Sequence, residues 1–261
     1  DEFRGRDGLL KVTDSQKLSP FFDKVIQAAA KIGIKFNADY NGSVQEGISM
    51  TQATISKGRR QSTAYCYLDP ARSRPNLTIQ TGAMGESLIL EGKSCVGIRY
   101  SVKGDAREAR ATREVIVSSG SINSPKLLEL SGIGQPELLQ KYGIDVLHEL
   151  PGVGESLRDH YSPRMKYAIS EKNATFSERG TGLRLIGEAM KYAFFRKGFI
   201  ALSTVPLRMY FRTREGLESP DATISFMPFL TERINRARVI SKQPGVTMNV
   251  NVLRSESLGS I

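Results

Sequence analysis

The sequence predicts a mixed α/β fold (α+β), and three observations carry the prediction. Residues 114–134 pack an apolar, β-branched run, a glycine turn, a short apolar helix and a second glycine turn into one stretch. Upstream, across 77–118, short β-branched segments alternate with glycine or charged turns. Near the end, Val246, Met248, Val250 and Val252 alternate with Thr247, Asn249 and Asn251, the period of a strand in an antiparallel sheet with one polar side.

Taken in order, Ser19-Pro20 opens a helix through Phe21, Val25, Ile26 and Ala29 that Gly33 terminates. A loop rich in Gly, Asn and Asp follows over 37–47, and 64–75 suits a short helix running into a Pro- and Arg-rich turn. Strands are then expected at 77–81, 87–90, 95–101, 108–112 and 114–118, the last buried in a parallel sheet and ending at Gly120, where the backbone can turn or approach a ligand. Ser124 reads as the cap of a helix whose first position is Pro125, with Leu127, Leu128 and Leu130 on its apolar side and Gly132 at its end. Residues 135–143 repeat the device of proline near the start and glycine after the end, giving a second short helix, and 144–150 returns as a strand. Beyond Pro151, 183–196 is helical by period, while 205–212, 222–229 and 246–253 alternate like half-buried strands.

At 261 residues and 39% hydrophobic content the chain is long enough for one large or two ordinary domains with a real core. No uncharged apolar run approaches the length needed to cross a bilayer. The start Asp1-Glu2-Phe3-Arg4 has neither a signal-peptide apolar segment nor a methionine, so a piece of a longer chain is expected, with the cytoplasm favoured. The formal net charge of +10 comes from 37 Lys and Arg set among 27 acidic residues. Its clusters at 57–60, 107–113 and 233–242 mix with other residue types and lack a stacking aromatic motif, which favours a basic solvated surface; no nucleic acid partner is expected. Cys66 and Cys95 have no metal-ligand spacing and no nearby histidine, so both are expected as buried thiols and no metal site is read. Glycosylation-type triplets at Asn41, Asn76 and Asn173 are of the kind chance supplies.

Four ordered motifs carry a resemblance. Gly58-Arg59-Arg60-Gln61-Ser62 is similar to a Gly-Arg-Arg-x-Ser stretch, Arg74-Pro75-Asn76-Leu77 to an Arg-Pro-Asn-Leu strand, and Gly120 through Gly134 to the second signature of the glucose-methanol-choline (GMC) flavoprotein oxidoreductases. Pro151-Gly152-Val153-Gly154-Glu155-Ser156-Leu157-Arg158-Asp159-His160 resembles that family's Pro-Gly-Val-Gly-x-Asn-Leu-x-Asp-His, with Ser156 in place of Asn. Any one motif is weak; their order and spacing make the resemblance, which is nearest to the choline dehydrogenase-like branch. It extends more loosely to both ends, through 5–14, where Leu9 replaces a proline, and through 253–261.

The resemblance implies part of an FAD/NAD(P)-binding-type domain, at 57–160, plus part of an antiparallel-sheet substrate domain, at 1–56 and 161–261. It also implies FAD as cofactor and a small-molecule alcohol as substrate, oxidised by hydride transfer to the flavin. Gly85 aligns with a family valine whose backbone N–H and C=O meet the adenine edge. Ser118, Ser119 and Gly120 align with a Ser-Ala-Gly strand end beside the adenosine half, although ordinary turn chemistry explains the two serines equally well. The family's Gly-x-Gly-x-x-Gly phosphate turn and its catalytic histidine have no counterpart here, so no catalytic residue is assigned. His148 and His160 read as structural. The chain alone is expected to be colourless and inactive. A basic binding module without catalysis is the alternative from another class, and a nicotinamide-linked dehydrogenase is weaker because its dinucleotide loop is also missing.

Overall fold

A computed structural model describes residues 2–16, 19–171, 173–235 and 237–261. Arg236, within the basic cluster 233–242, lies outside the described residues. In chain order, α1 is Phe21–Lys31, β1 is Gly47–Met50, and β2 Ile55–Ser56 with β3 Arg59–Arg60 forms a tight hairpin. The strands β4 Ala83–Glu91, β5 Ser94–Val102 and β6 Asp105–Arg110 make a meander. Next come α2 Gly120–Leu130, β7 Ile133–Gly134, α3 Pro136–Lys141 and β8 His148–Glu149. The last third holds β9 Arg164–Ala168, α4 Gly182–Phe195, β10 Leu207–Phe211, β11 Ala222–Met227 and β12 Gly245–Val252. Two compact units result: Asp1–Arg74 with His160–Arg254, and Pro75–Asp159 with Ser255–Ile261.

The first unit is built on an antiparallel sheet in the order β9-β12-β11-β10-β1. Strand alternation gives it an apolar face, and α1 closes that face with the residues that recur at helical spacing. Phe22, Ile48 and Leu207 are fully buried there, with Phe176 and Phe226 beside them. Ser19 fixes the start of α1: its hydroxyl accepts the Phe21 N–H at 3.2 Å and donates to the Ala174 carbonyl at 2.7 Å. On the opposite, polar face, Ser49, Thr223 and Thr247 are buried, yet each hydroxyl donates to a backbone carbonyl, of Asn37, Met209 and Phe229 respectively.

In the second unit the β5–β6 turn is Lys103-Gly104, both at positive φ, the type I′ pattern that matches strand twist. Helix α2 is fastened to β4 through Ser131, whose hydroxyl accepts the Leu88 N–H at 2.8 Å and donates to the Leu127 carbonyl at 2.5 Å.

Several sequence expectations are corrected. Residues 77–81 and 114–118 are not strands, and Ile116 is 77% exposed instead of buried in a parallel sheet. β-branched composition supplies propensity, but a strand needs neighbours, and neither segment has a ladder partner among the described residues. Helix α2 starts at Gly120, not at Pro125, which lies inside it. Ser124 therefore does not cap the first turn; its hydroxyl reaches back to the Ser119 N–H at 3.0 Å. The ring of Pro125 already has a helical φ, but the helix loses the bond Pro125 cannot donate to the Ser121 carbonyl and has to accommodate the ring against that carbonyl. Of 144–150, only His148–Glu149 is a strand, parallel to β7. Cys66 is buried but Cys95 only partly so.

Candidate cofactor site

Helix α2 separates two cavities of the second unit. Ser119, Asn123, Lys126, Leu127 and Leu130, at steps of three and four, line one of about 880 Å³ against β4 and β5. Ser121, Ser124, Pro125 and Leu128, on the adjacent side, line one of about 660 Å³ with the loop around Gly152, Gly154 and Ser156. The 114–134 stretch thus contributes one wall to each.

The larger cavity holds Gly85 and Ser119 together. The β4–β5 register shifts between Gly85 and Ser87, so Glu86 is an extra residue on its strand. Such a bulge leaves the extra residue's backbone groups outside the ladder, and bulges recur beside active sites, where they end pairing or re-aim a side chain. A Cβ on Gly85 would stand 3.2 Å from Ile98 Cδ1, so the missing side chain keeps this part of the cavity open. Apolar surface from Ile98, Leu127 and Leu130 with polar groups from Gln80, Asn123 and Lys126 is what a flat heteroaromatic ring with hydrogen-bonding edges requires. The residues present therefore fit the adenosine half of a dinucleotide. Ser118 and Gly120 flank Ser119 but do not line this cavity; Ser119 precedes α2 at its N-cap position without a side-chain capping bond, and Gly120, at φ 88°, begins it.

Glu129 of α2 turns toward the glycine loop. Its Oε1 is buried without a hydrogen-bond partner, and a Cβ on Gly154 would fall 2.7 Å from it; Gly154 itself sits at φ 79°, a conformation that favours glycine. Burial, and then the charge of Glu155, raise its pKa above the ordinary carboxyl range. His160 does not reach either cavity; its Nδ1 is 2.7 Å from the Val252 carbonyl. His148 is exposed in β8. No group of His, Cys, Asp and Glu suited to a metal occurs among the described residues, and no described helix is long and apolar enough to cross a membrane.

Sequence reasoning missed the bulge and the contributions of Tyr100 and Lys126. A glycine inside a strand, Gly85, was the available signal for the bulge.

The GMC oxidoreductase family model matches residues 3–162. An oxygen-dependent choline dehydrogenase of Brucella anthropi is 34% identical over 99% of the chain and 46% of its own length. One from Chromohalobacter salexigens is 36% identical over 100% of the chain and 47% of its own length, and the mitochondrial choline dehydrogenase of Mus musculus is 34% identical over 98% and 43%. The chain spans about half the length of these curated relatives. Among solved structures, formate oxidase superposes with a TM-score of 0.85 at 20% identity, covering 97% of the chain and 48% of the oxidase. Pyridoxine 4-oxidase from Mesorbium loti gives a TM-score of 0.77 at 23% identity, covering 98% and 46%.

Proposed function

The chain belongs to the GMC oxidoreductase family, and from that premise we propose that the protein containing it oxidises an alcohol to an aldehyde or ketone with FAD as cofactor. Bound FAD supplies a flavin ring that accepts hydride from the carbinol carbon. This chain's part is to hold the adenosine end: the backbone freed at Glu86, next to Gly85, offers a donor and an acceptor edge, and Ser119, flanked by Ser118 and Gly120, closes the other side. On this reading 57–160 supplies the cofactor side, and 1–56 with 161–261 supplies the substrate side through the sheet of the first unit. No base for the hydroxyl proton is assigned within the chain, so turnover is not expected from it alone.

The observation that carries the proposal is the bulged, glycine-opened cavity beside Ser119. It is tested by titrating ADP, which is the adenosine end without flavin, into the isotope-labelled chain. Amides of Gly85, Glu86 and Ser118 to Gly120 should shift, and deletion of Glu86, which restores the ladder, should weaken binding about tenfold, or about 1.4 kcal/mol. Shifts confined to the glycine loop around Gly154, or none, would overturn it. Bleaching of added FAD by an alcohol in the presence of the chain alone would overturn the expected inactivity.

A further inference from the structure

The polar face of the five-stranded sheet carries one row in direct register, with one residue from each strand: Arg164, Asn249, Ser225, Arg208 and Ser49. Facing partners in antiparallel strands project to the same side. Ser49 is fully buried and Ser225 nearly so, whereas Arg208, on the strand next to the β1 edge, is half-buried.

Among the described residues Arg208 is a cation without a counter-charge. Its Nη1 donates to the Tyr210 hydroxyl at 3.2 Å, its Nε is buried with no acceptor, and none of the ion pairs among the described residues includes it. Its cationic neighbours on this face do not offset it: Arg164 Nε donates to Asn249 Oδ1 at 3.2 Å, and Lys166 Nζ donates to the Thr231 carbonyl at 2.7 Å. No strand position on this side of the sheet is Asp or Glu. A guanidinium presents five N–H donors in a planar fork that matches a carboxylate, and removing such a charge from water without an anion is costly.

We infer that Arg208 binds a carboxylate carried by the substrate. The inference rests on the reading that this sheet takes the alcohol, and names its class: a hydroxy acid, with Asn249 and Ser225 as flanking hydrogen-bonding groups. The same face selects against a quaternary-ammonium alcohol, because its fixed charges have the wrong sign for one. Arg208 is then a specificity-determining residue that sets which alcohol enters, apart from any part in the hydride step.

The test compares β-hydroxypropionate, choline and n-propanol, which share the HO–CH2–CH2 unit and differ in charge. Each is titrated into the chain while arginine Nε–H resonances are followed by NMR; Arg208→Lys identifies the Arg208 signal by removing it, and Arg208→Gln removes the charge. The hydroxy acid alone should move that signal and should bind at least about tenfold more tightly than the other two. Arg208→Gln should bring it to the level of n-propanol, with Arg208→Lys between. Equal or tighter binding of choline, an unchanged affinity in Arg208→Gln, or no response to any probe overturns the inference. So does a tighter response to inorganic pyrophosphate, which would make Arg208 a phosphate contact. The measurement needs no flavin, so its failure is separable from failure of the ADP titration at the Gly85 cavity.

Discussion

The two units of this chain solve the same problem, covering the apolar side of β structure, to different degrees. In the first, five strands are all laddered and α1 seals the apolar face, leaving Phe22, Ile48 and Leu207 with no exposed surface. In the second, only the meander β4-β5-β6 is laddered over any length, and the β-branched run 114–118 lies unpaired with Ile116 77% exposed. The difference follows from where the partners come from. Strands of the first unit find neighbours within the described chain, whereas 114–118 has strand composition and no strand beside it. Backbone left outside a ladder is also the material of the candidate cofactor site, at the Glu86 bulge and around Ser119.

The sharpest way to break this contrast is to truncate one apolar side chain in each region. Phe22→Ala opens a cavity in a closed core and should cost about 3–5 kcal/mol, whereas Ile116→Ala should change stability by less than about 0.5 kcal/mol. Urea denaturation of both variants measures this. An Ile116→Ala cost near that of Phe22→Ala would mean that 114–118 is buried in solution and the contrast is wrong.

A smaller effect separates glycines that look alike in sequence. Gly58 and Gly104 both sit at positive φ in tight hairpins. A Cβ on Gly58 would lie 2.1 Å from the Arg196 carbonyl oxygen at the end of α4, while one on Gly104 meets nothing within 4 Å. Gly104→Ala should therefore cost only the left-handed backbone penalty, about 1–2 kcal/mol. Gly58→Ala should cost more, because backbone must move, and thermal unfolding should show its loss as the larger. Equal losses would remove the packing argument and leave only the φ term.

The same division decides what was legible in the sequence. Helices α1 and α4 and strands β10, β11 and β12 follow from periodicity, because each buries or presents one face according to its own spacing. The parallel strand expected at 114–118 failed because ladders are non-local and composition is local. The expected cap at Ser124 failed for a related reason: proline was read as a start signal, but α2 tolerates Pro125 in its interior and begins at Gly120. Gly85 and Ser119 were singled out from motif similarity, and they line one cavity. The bulge beside Gly85 is a property of two strands in register, and no single strand's residues specify it. Arg208 was likewise silent in sequence, since one arginine in an alternating strand gives no hint that its four register partners lack a carboxylate.

The smallest predicted effect sets two glutamates with opposite pH dependence against each other, one in each unit. In the first unit, hydrogen bonding from Arg212 holds Glu46 below its ordinary value of 4.5. A depressed carboxyl pKa adds stability that is present above the unfolded value and is lost as pH falls through the folded one. In the second unit, burial raises Glu129 above the same ordinary value, so its contribution is favourable below 4.5 and is lost as pH rises through the folded value. Glu46→Gln should therefore lower stability at pH 7 and converge with the parent chain in acid. Glu129→Gln should do the reverse, matching the native residue in acid and stabilising the chain at pH 7, because the amide removes a charge that lacks a partner. Both differences are small, since Glu46 is partly exposed and solvent screens its pair. Denaturation midpoints at closely spaced pH values between 3 and 7 would resolve them, and two difference curves of the same sign would mean that Glu129 finds a partner in solution.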